Sequence, residues 1–193
     1  FILIFAFLRD IMKKREIRAA IKLLNTNITE AQKREEPSAV TEQLNQLILR
    51  TKPSVVAAFM PLFDEIGIDI NRLAALCRVV VPRITADESG VAEMEFFDYK
   101  PTEISAGAYG INEPQGATPC AAEDIDLMIL PGVAFTPQGD RLGRGKGFYD
   151  RYTAREGFRA LCVGVCYRHQ LIDKLPVEPH DRRADIVITA DTK

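Results

Sequence analysis

The stretch Leu130-Pro-Gly-Val-Ala-Phe-Thr-Pro-Gln-Gly-Asp-Arg-Leu-Gly-Arg-Gly-Lys-Gly-Phe-Tyr-Asp-Arg-Tyr152 is the part of the chain around which the rest is arranged. It continues the apolar run 125–130, which predicts a buried strand, and it leads into 148–155, which predicts a helix. The glycines allow backbone N–H groups to approach a ligand closely, and a helix N-terminus presents further N–H groups. The glycines alternate with cations at Gly143, Arg144, Gly145, Lys146 and Gly147. This combination predicts an anion site, and a polyphosphate suits it best.

Two established phosphate-binding motifs do not fit this stretch. In a P-loop, Gly139 would lie one residue too far from Gly145-Lys146, and Gly147 stands where a hydroxyl is required. The dinucleotide fingerprint needs a third glycine where Phe148 stands. A surface loop with solvated charges is the alternative interpretation. Ordering so many glycines costs conformational entropy, which favours a binding role.

The segment 130–135, followed by Gly139-x-Arg-Leu-Gly-Arg-Gly-Lys-Gly-Phe-Tyr-Asp150, resembles the signature of the 5-formyltetrahydrofolate cyclo-ligases, also called 5,10-methenyltetrahydrofolate synthetases. Similar features extend the resemblance from Lys13 to the C-terminus. The resemblance implies ATP- and Mg²⁺-dependent cyclisation of 5-formyltetrahydrofolate to 5,10-methenyltetrahydrofolate, with release of ADP and phosphate. In the implied mechanism, the formyl oxygen is phosphorylated, N10 attacks the one-carbon unit, and phosphate leaves.

The chain of 193 residues alternates predicted strands and helices and is long enough for one domain with a sizeable core. We therefore expect an α/β fold with a mostly parallel sheet flanked by helices, formed as a single catalytic domain by residues 12–193. The segment 1–11 is strongly apolar and precedes Met12-Lys-Lys, which is a more natural start. We interpret segment 1–11 as an extension or a non-native segment.

Composition argues against several classes of partner. The net charge of −2 gives no global attraction to nucleic acid or to an acidic membrane. The apolar run Phe1–Leu8 is too short to span a bilayer and lacks the features of a signal peptide. The four cysteines show no metal-ligand spacing, which favours reduced core thiols in a cytoplasmic protein. We expect neither nucleic acid nor membrane as a partner.

The ATP site is expected to extend from the glycine-rich stretch to the first helix. Lys14 and Arg18 are four residues apart on a predicted helix and therefore share a face. A solvated basic face is the alternative, but the resemblance implies that both bind ATP phosphates. It implies catalytic roles for Arg144 and Lys146, which would neutralise charge on the transferring phosphoryl group. The full set expected to bind ATP is Lys14, Arg18, Arg141, Leu142, Gly143, Arg144, Gly145, Lys146, Gly147, Phe148 and Tyr149.

The folate site is expected beyond the apolar run 55–60, where a buried parallel strand would end. The resemblance implies that Glu65 contacts the reduced pterin, although the family commonly has Thr where Ile68 stands. Glu113 lies in a short motif similar to one of the family, and an ordinary turn explains it equally. Arg83 meets either an anionic part of the substrate or a surface carboxylate. The expected folate-binding residues are Met60, Glu65, Glu113, Arg144, Lys146, Phe148 and Tyr149.

Two carboxylates are candidates for Mg²⁺, which prefers oxygen ligands and bridges one or two carboxylates to phosphates. Asp150 directly follows the glycines, and Asp185 begins the last predicted strand. Both match family positions associated with Mg²⁺. Asp150 alternatively favours a helix N-terminus electrostatically, and Asp185 is alternatively a strand-end residue on the surface. The adjacent pair His180-Asp181 is not a dyad, because neighbours on an extended segment point to opposite sides.

Other functions use part of the same pattern. A sugar-phosphate or coenzyme A enzyme would need the glycine loop for phosphate but no metal carboxylates. A non-catalytic nucleotide-binding module would not need the full set of cations and acids that the chain carries. A nucleic-acid binder would need more than one basic cluster.

Overall fold

The computed structural model describes residues 13–86, 90–107 and 112–192, so the interpretation of segment 1–11 lies outside the described residues. Its α-helices are α1 (Lys14–Asn25), α2 (Glu30–Thr51), α3 (Ile70–Ala74) and α4 (Phe148–Thr153). Its strands are β1 (Val55–Ala57), β2 (Arg78–Ala86), β3 (Ala92–Asp98), β4 (Ile104–Ala106), β5 (Asn112–Pro114), β6 (Leu127–Leu130), β7 (Ala134–Phe135), β8 (Arg141–Leu142), β9 (Leu161–Val165) and β10 (Ile186–Ile188).

Six strands form the central sheet in the order β10-β9-β6-β1-β2-β3. All neighbours are parallel except β2 and β3, which are antiparallel. The expected α/β fold with a mostly parallel sheet is confirmed. The chain leaves β1 for β2 on one side and later returns to β6 on the other. Such a reversal of direction opens a crevice at the carboxyl ends of the two central strands.

Both faces of the sheet are covered, which explains why its inner strands are continuous apolar runs. Val56 packs with the α2 residues Val40 and Leu44 in one buried cluster. Its neighbours Val55 and Ala57 belong to a second cluster on the opposite face, as the two-residue period of a strand requires. All four cysteines are free, and three of them are buried.

Strand β2 continues past Pro82, where the apolar run alone suggests an end. The carbonyl of Val80 points toward β1. The nitrogen of Pro82, two residues later, faces the same edge of β2, at a point beyond the end of β1. A missing N–H is therefore tolerated there. The β7–β8 hairpin is a second departure, because a loop was expected between β6 and the glycines.

Gly139, at the tip of the β7–β8 hairpin, contacts Ala184, which lies just before the last strand. Its φ is +94°, and a Cβ at this position would lie 2.0 Å from the carbonyl oxygen of Ala184. The two residues also share a backbone hydrogen bond of 2.8 Å. The position requires glycine for its conformation and for the close approach.

We expect Gly139→Ala to lower the free energy of unfolding by about 2–3 kcal/mol, because it adds left-handed strain to a backbone clash. Urea denaturation measures the change. Gly90→Ala is the matched control, since Gly90 has a φ of +81° and a Cβ added there would have nothing within 4 Å. Equal losses for both variants would show that the Ala184 contact adds nothing.

Candidate active site

An apolar cavity of about 280 Å³ opens at the carboxyl ends of β1 and β6, in the crevice that the strand order creates. Its floor comes from residues that follow these two strands, with one side closed by β2 and β3. The residues that line it are Phe59, Met60, Leu62, Glu65, Pro82, Ile84, Met94, Glu113, Pro131, Gly132, Arg141, Gly143, Arg144, Gly145, Lys146, Gly147, Phe148, Tyr149 and Asp150. The cavity suits a flat, largely apolar ligand with a few polar edges.

A larger, open groove of about 990 Å³ lies beside the cavity and is basic, with six Lys and Arg side chains against three carboxylates. Its ionisable lining residues are Lys14, Arg18, Arg141, Asp150, Arg151, Glu178, His180, Asp181, Arg182 and Arg183. The cavity and the groove share Arg141, Gly143, Gly145, Gly147 and Asp150. The segment 143–147, here called the glycine loop, is therefore a wall common to an apolar space and a basic one.

Arg141 and Asp150 form a buried ion pair at the base of this wall. The Arg141 side chain is 4% exposed and donates from Nη2 to Asp150 Oδ1 at 2.6 Å. The same oxygen accepts the backbone N–H of Arg182 at 3.0 Å. Arg141 also donates from Nη1 to the carbonyl of Pro131 at 3.2 Å, which fixes it against the end of β6. Burial raises the pKa of the neighbouring Tyr149 hydroxyl well above its usual range, so Tyr149 is neutral.

Two arginines hold the first half of the glycine loop. Arg18 reaches from α1 and donates from Nε to the carbonyl of Gly143 at 2.8 Å. Arg144 turns the other way and donates from Nε to Glu65 Oε1 at 2.9 Å, with a second ion pair to Asp64. The loop that follows β1 and the glycine loop are thereby joined across the mouth of the cavity.

Lys14 lies at the far side of the groove, where two carboxylates hold it. Its Nζ is 2.6 Å from Asp181 Oδ2 and 3.2 Å from Glu178 Oε1. Burial opposes the charged form, but the hydrogen bonds to these carboxylates dominate and raise the pKa of Lys14. Lys14 is therefore a fixed cation in the groove rather than part of a solvated basic face.

The expected folate-binding residues come together in the apolar cavity. Met60, Phe148 and Tyr149 supply apolar surface, and Phe148 and Tyr149 also pack against the core. Glu113 is only 7% exposed and accepts the backbone N–H of Ile84 at 3.1 Å. Its carboxylate is thus held in the cavity wall, which an ordinary surface turn does not explain.

A sequence model of the 5-formyltetrahydrofolate cyclo-ligase family matches residues 10–190. The chain belongs to this family. The 5-formyltetrahydrofolate cyclo-ligase of Mycolicibacterium smegmatis is 30% identical over 184 residues, which cover 91% of this chain and 93% of the relative. The family and the enzyme class expected from the sequence are therefore confirmed.

Solved structures agree with the fold. The NMR structure of Aquifex aeolicus 5,10-methenyltetrahydrofolate synthetase is similar with a TM-score of 0.79 at 30% identity, covering 94% of this chain and 91% of that one. A 5,10-methenyltetrahydrofolate synthetase from Mycoplasma pneumoniae, at 24% identity and a TM-score of 0.74, covers 93% of this chain and is itself covered completely. The second likeness supports the fold alone.

The two carboxylates expected to bind metal in this cyclo-ligase family member lie in different surroundings. Asp150 lines the groove and the cavity. Asp185 accepts the backbone N–H of Cys162 at 2.7 Å and lies 3.4 Å from Arg182 Nη2, at the amino end of β10. Its role as a metal ligand stays a prediction.

No group of three or more His, Cys, Asp or Glu side chains suited to a metal occurs among residues 13–86, 90–107 and 112–192. One carboxylate is nevertheless sufficient where phosphate oxygens complete the shell, and Asp150 fits that requirement.

The structure adds four details to the expectations from the sequence. Helix α4 has only six residues and ends at Thr153, two residues before the end of the predicted segment 148–155. Arg83 stacks over Phe97 at 3.7 Å and donates to the carbonyls of Pro114 and Gly116. Ile68 is buried in the core and does not line the cavity. Leu142 lines the groove and also packs with the α1 residues Ile17 and Ile21, and its role in ATP binding stays a prediction.

The sequence interpretation missed the residues that reach the cavity through long-range pairing. Ile84 and Met94 are partners across the antiparallel β2–β3 ladder and together close one side. The sequence alone also did not single out Gly132, where an added Cβ would lie 2.5 Å from the ring of Phe135. The weak alternation of apolar and polar residues in 92–98 is typical of an edge strand, but it does not give the register of that strand. Only the register places Met94 at the site.

Proposed function

We propose that this protein catalyses the ATP-dependent cyclisation of 5-formyltetrahydrofolate to 5,10-methenyltetrahydrofolate, with release of ADP and phosphate. The observation that carries the proposal is the glycine loop, which lies between an apolar cavity and a basic groove. A phosphoryl donor in the groove and an acceptor in the cavity would meet at this loop. The family and its relatives' names support the same reaction.

The folate is assigned to the cavity. Its pterin is flat and carries N–H groups at its edge, which need acceptors in an otherwise apolar space. Glu65 and Glu113 supply carboxylates there, while Met60, Phe148 and Tyr149 supply apolar surface. Glu65 is itself oriented by the backbone N–H of Leu62, which donates to its Oε2 at 3.0 Å.

The nucleotide is assigned to the groove, where Lys14, Arg18 and Arg141 hold cationic groups in place for its phosphates; Lys14 and Arg141 also pair with carboxylates of the groove. Asp150 is the carboxylate placed to hold Mg²⁺, with Asp185 as the second, untested candidate. The bound ion would neutralise phosphate charge and orient the terminal phosphate. Arg144 and Lys146 extend from the wall that both substrates share, and we assign them to the charge on the transferring phosphoryl group.

The chemistry then follows from positioning. The formyl oxygen attacks the γ-phosphorus, the bond to ADP breaks, and a phosphorylated imidate forms at N5. N10 attacks the same carbon, the carbon–oxygen bond breaks as phosphate leaves, and the N10 proton passes to solvent. No protein nucleophile is required, so the chain's residues act by holding donor and acceptor in line and excluding water.

We expect Glu65→Gln to weaken folate binding about tenfold while ATP binding changes by less than about twofold, because a neutral amide replaces the acceptor beside the pterin. Steady-state KM values and calorimetry with each substrate measure both effects. Glu42→Gln is the control, since Glu42 is a carboxylate that pairs with an arginine, Arg72, away from the site. A larger effect on ATP than on folate would mean that the two pockets are interchanged.

The direct test is an absorbance assay for methenyltetrahydrofolate with purified protein, 5-formyltetrahydrofolate, Mg²⁺ and ATP. Product that requires both ATP and Mg²⁺ is the expected result. If ATP protects the protein against heat but no product forms, the phosphate site stands and the folate assignment is wrong. In that case a sugar-phosphate or coenzyme A ester becomes the better substrate class.

The cellular setting is part of the proposal. No helix among the described residues has the length and apolar character needed to cross a bilayer. The cytoplasmic location and the absence of nucleic-acid and membrane partners remain predictions from composition.

A further inference from the structure

Arg151 lies on α4, one turn beyond the glycine loop, and bonds back to that loop. Its Nη1 donates to the carbonyl of Lys146 at 2.9 Å, and its Nη2 donates to the carbonyl of Ala92 on β3 at 3.2 Å. Its Nε is 3.9 Å from Glu93, and its guanidinium lies over the Phe148 ring at 5.2 Å. One side chain therefore connects the loop to the edge of the main sheet.

The glycine loop needs such a connection because its own backbone can adopt many conformations. Gly145 and Gly147, on either side of Lys146, both have positive φ, at +94° and +69°. Glycine gives these positions little intrinsic stiffness. The absence of a side chain at Gly147 also leaves room for Arg151, whose Nη1 would lie 3.1 Å from a Cβ there. The carbonyl that Arg151 holds belongs to the peptide group next to the Lys146 side chain.

We propose that Arg151 is a positioning residue that fixes the direction of Lys146 by holding its carbonyl against β3. The inference rests on the proposed function of Lys146. Arg18 performs the corresponding task at the other end of the loop, through the carbonyl of Gly143. Arg151 itself lies at the rim of the groove with its side chain 47% exposed. Direct contact with a phosphate is the competing role.

Positioning of Lys146 and direct contact with a phosphate predict different kinetic effects when Arg151 is replaced. Loss of positioning misaligns the group that acts in the transition state, so we expect Arg151→Ala to lower kcat about 10- to 100-fold with KM for ATP within about twofold. Arg151→Lys should recover part of kcat, because an ammonium can reach one of the two carbonyls. Because Arg151 acts through Lys146, Arg151→Ala should cost no further activity in a Lys146→Ala background.

Arg155→Ala is the matched control. Arg155 extends toward the same strand and pairs with Glu93 and Glu95 at 3.1 and 2.7 Å, so its ion pairs lie on β3 rather than on the glycine loop. We expect its loss to lower the melting temperature and leave kcat within about twofold. A raised KM for ATP with unchanged kcat in Arg151→Ala would overturn positioning in favour of phosphate contact. Full additivity with Lys146→Ala would also overturn it.

Hydrogen exchange separates this inference from the proposed function. Arg151→Ala should speed amide exchange at Gly145, Lys146 and Gly147, whereas Arg155→Ala should not. If the wild-type protein makes no methenyltetrahydrofolate, the proposed reaction fails, and faster loop exchange still supports Arg151 as the loop anchor. Unchanged exchange in Arg151→Ala refutes the anchor whether or not the enzyme turns over.

Discussion

Lys146→Ala is expected to lower kcat about 10³-fold while the protein stays folded and still binds nucleotide. Removal of one preorganised donor from a charged transition state costs about 10²–10³ in other enzymes, and a cation on a transferring phosphoryl group is worth about 10³ or more. Lys146 lies on the exposed part of the glycine loop, with Gly145 and Gly147 on either side. Little packing is therefore lost with its side chain.

Lys146→Ala should lower kcat while the affinity for nucleotide stays nearly unchanged. Calorimetry with a non-hydrolysable ATP analogue should show affinity within about threefold of wild type, because Lys14, Arg18 and Arg141 remain in the groove. Lys33→Ala removes an equal charge at a distant, exposed site on α2 and should leave kcat unchanged. A kcat for Lys146→Ala close to that of wild type would remove Lys146 from the mechanism.

Lys146→Arg then tests what kind of cation is needed. An arginine keeps the charge but presents a planar fork in place of a compact ammonium. Recovery to near wild-type kcat would show that charge alone is sufficient. A kcat near that of Lys146→Ala would show that the position of the single ammonium matters. The proposed anchoring by Arg151 leads us to expect the second result.

The inner strands were predictable from the sequence because both of their faces are buried. Continuous apolar runs therefore mark β1, β6 and β9, and a similar run marks the edge strand β10, although the actual strands are shorter by one to three residues at an end. The Thr29 cap of α2 and the Asp69 cap of α3 were also predictable, because capping depends on residues three positions apart. Local patterns of this kind are visible in the sequence without knowledge of the tertiary structure.

The remaining features depend on pairing between distant segments, which no local pattern records. The two-residue strands of the β7–β8 hairpin are too short to show alternation. The passage of β2 through Pro82 is tolerated only because β1 ends before that point. The glycine loop itself was predictable, but its contact with Arg151 depends on the position of β3. The cations proposed to act in catalysis, Arg144 and Lys146, could therefore be identified from the sequence, whereas the contact proposed to position Lys146 could not.

Asp150 is a residue for which the sequence and the structure indicate two different roles. The sequence presents it as a metal ligand. The structure adds an ion pair in which Asp150 compensates the charge of Arg141, a side chain that is 4% exposed. We expect Asp150→Asn to lower the free energy of unfolding by about 3 kcal/mol, the lower end for breaking a buried pair, because the amide keeps an acceptor for the Arg182 N–H.

The same variant should raise the Mg²⁺ concentration for half-maximal activation at least about tenfold, since a neutral amide is a poorer ligand for a hard cation. Urea denaturation and a Mg²⁺ titration at saturating ATP measure the two effects separately. Asp126→Asn is the control, because Asp126 accepts backbone N–H groups of Ser54 and Val55 at the opposite end of β1. It should lose stability without any change in Mg²⁺ dependence.

The two measurements together decide what Asp150 does. Lower stability with an unchanged Mg²⁺ requirement would leave Asp150 as the partner of Arg141 alone. The metal would then have to be held elsewhere, and Asp185→Asn would be the next variant to titrate. If both quantities change, the carboxylate balances Arg141 in the resting protein and, through its second oxygen, binds the metal when nucleotide is present. Arg141 would then hold the Asp150 carboxylate at the groove before either ligand binds.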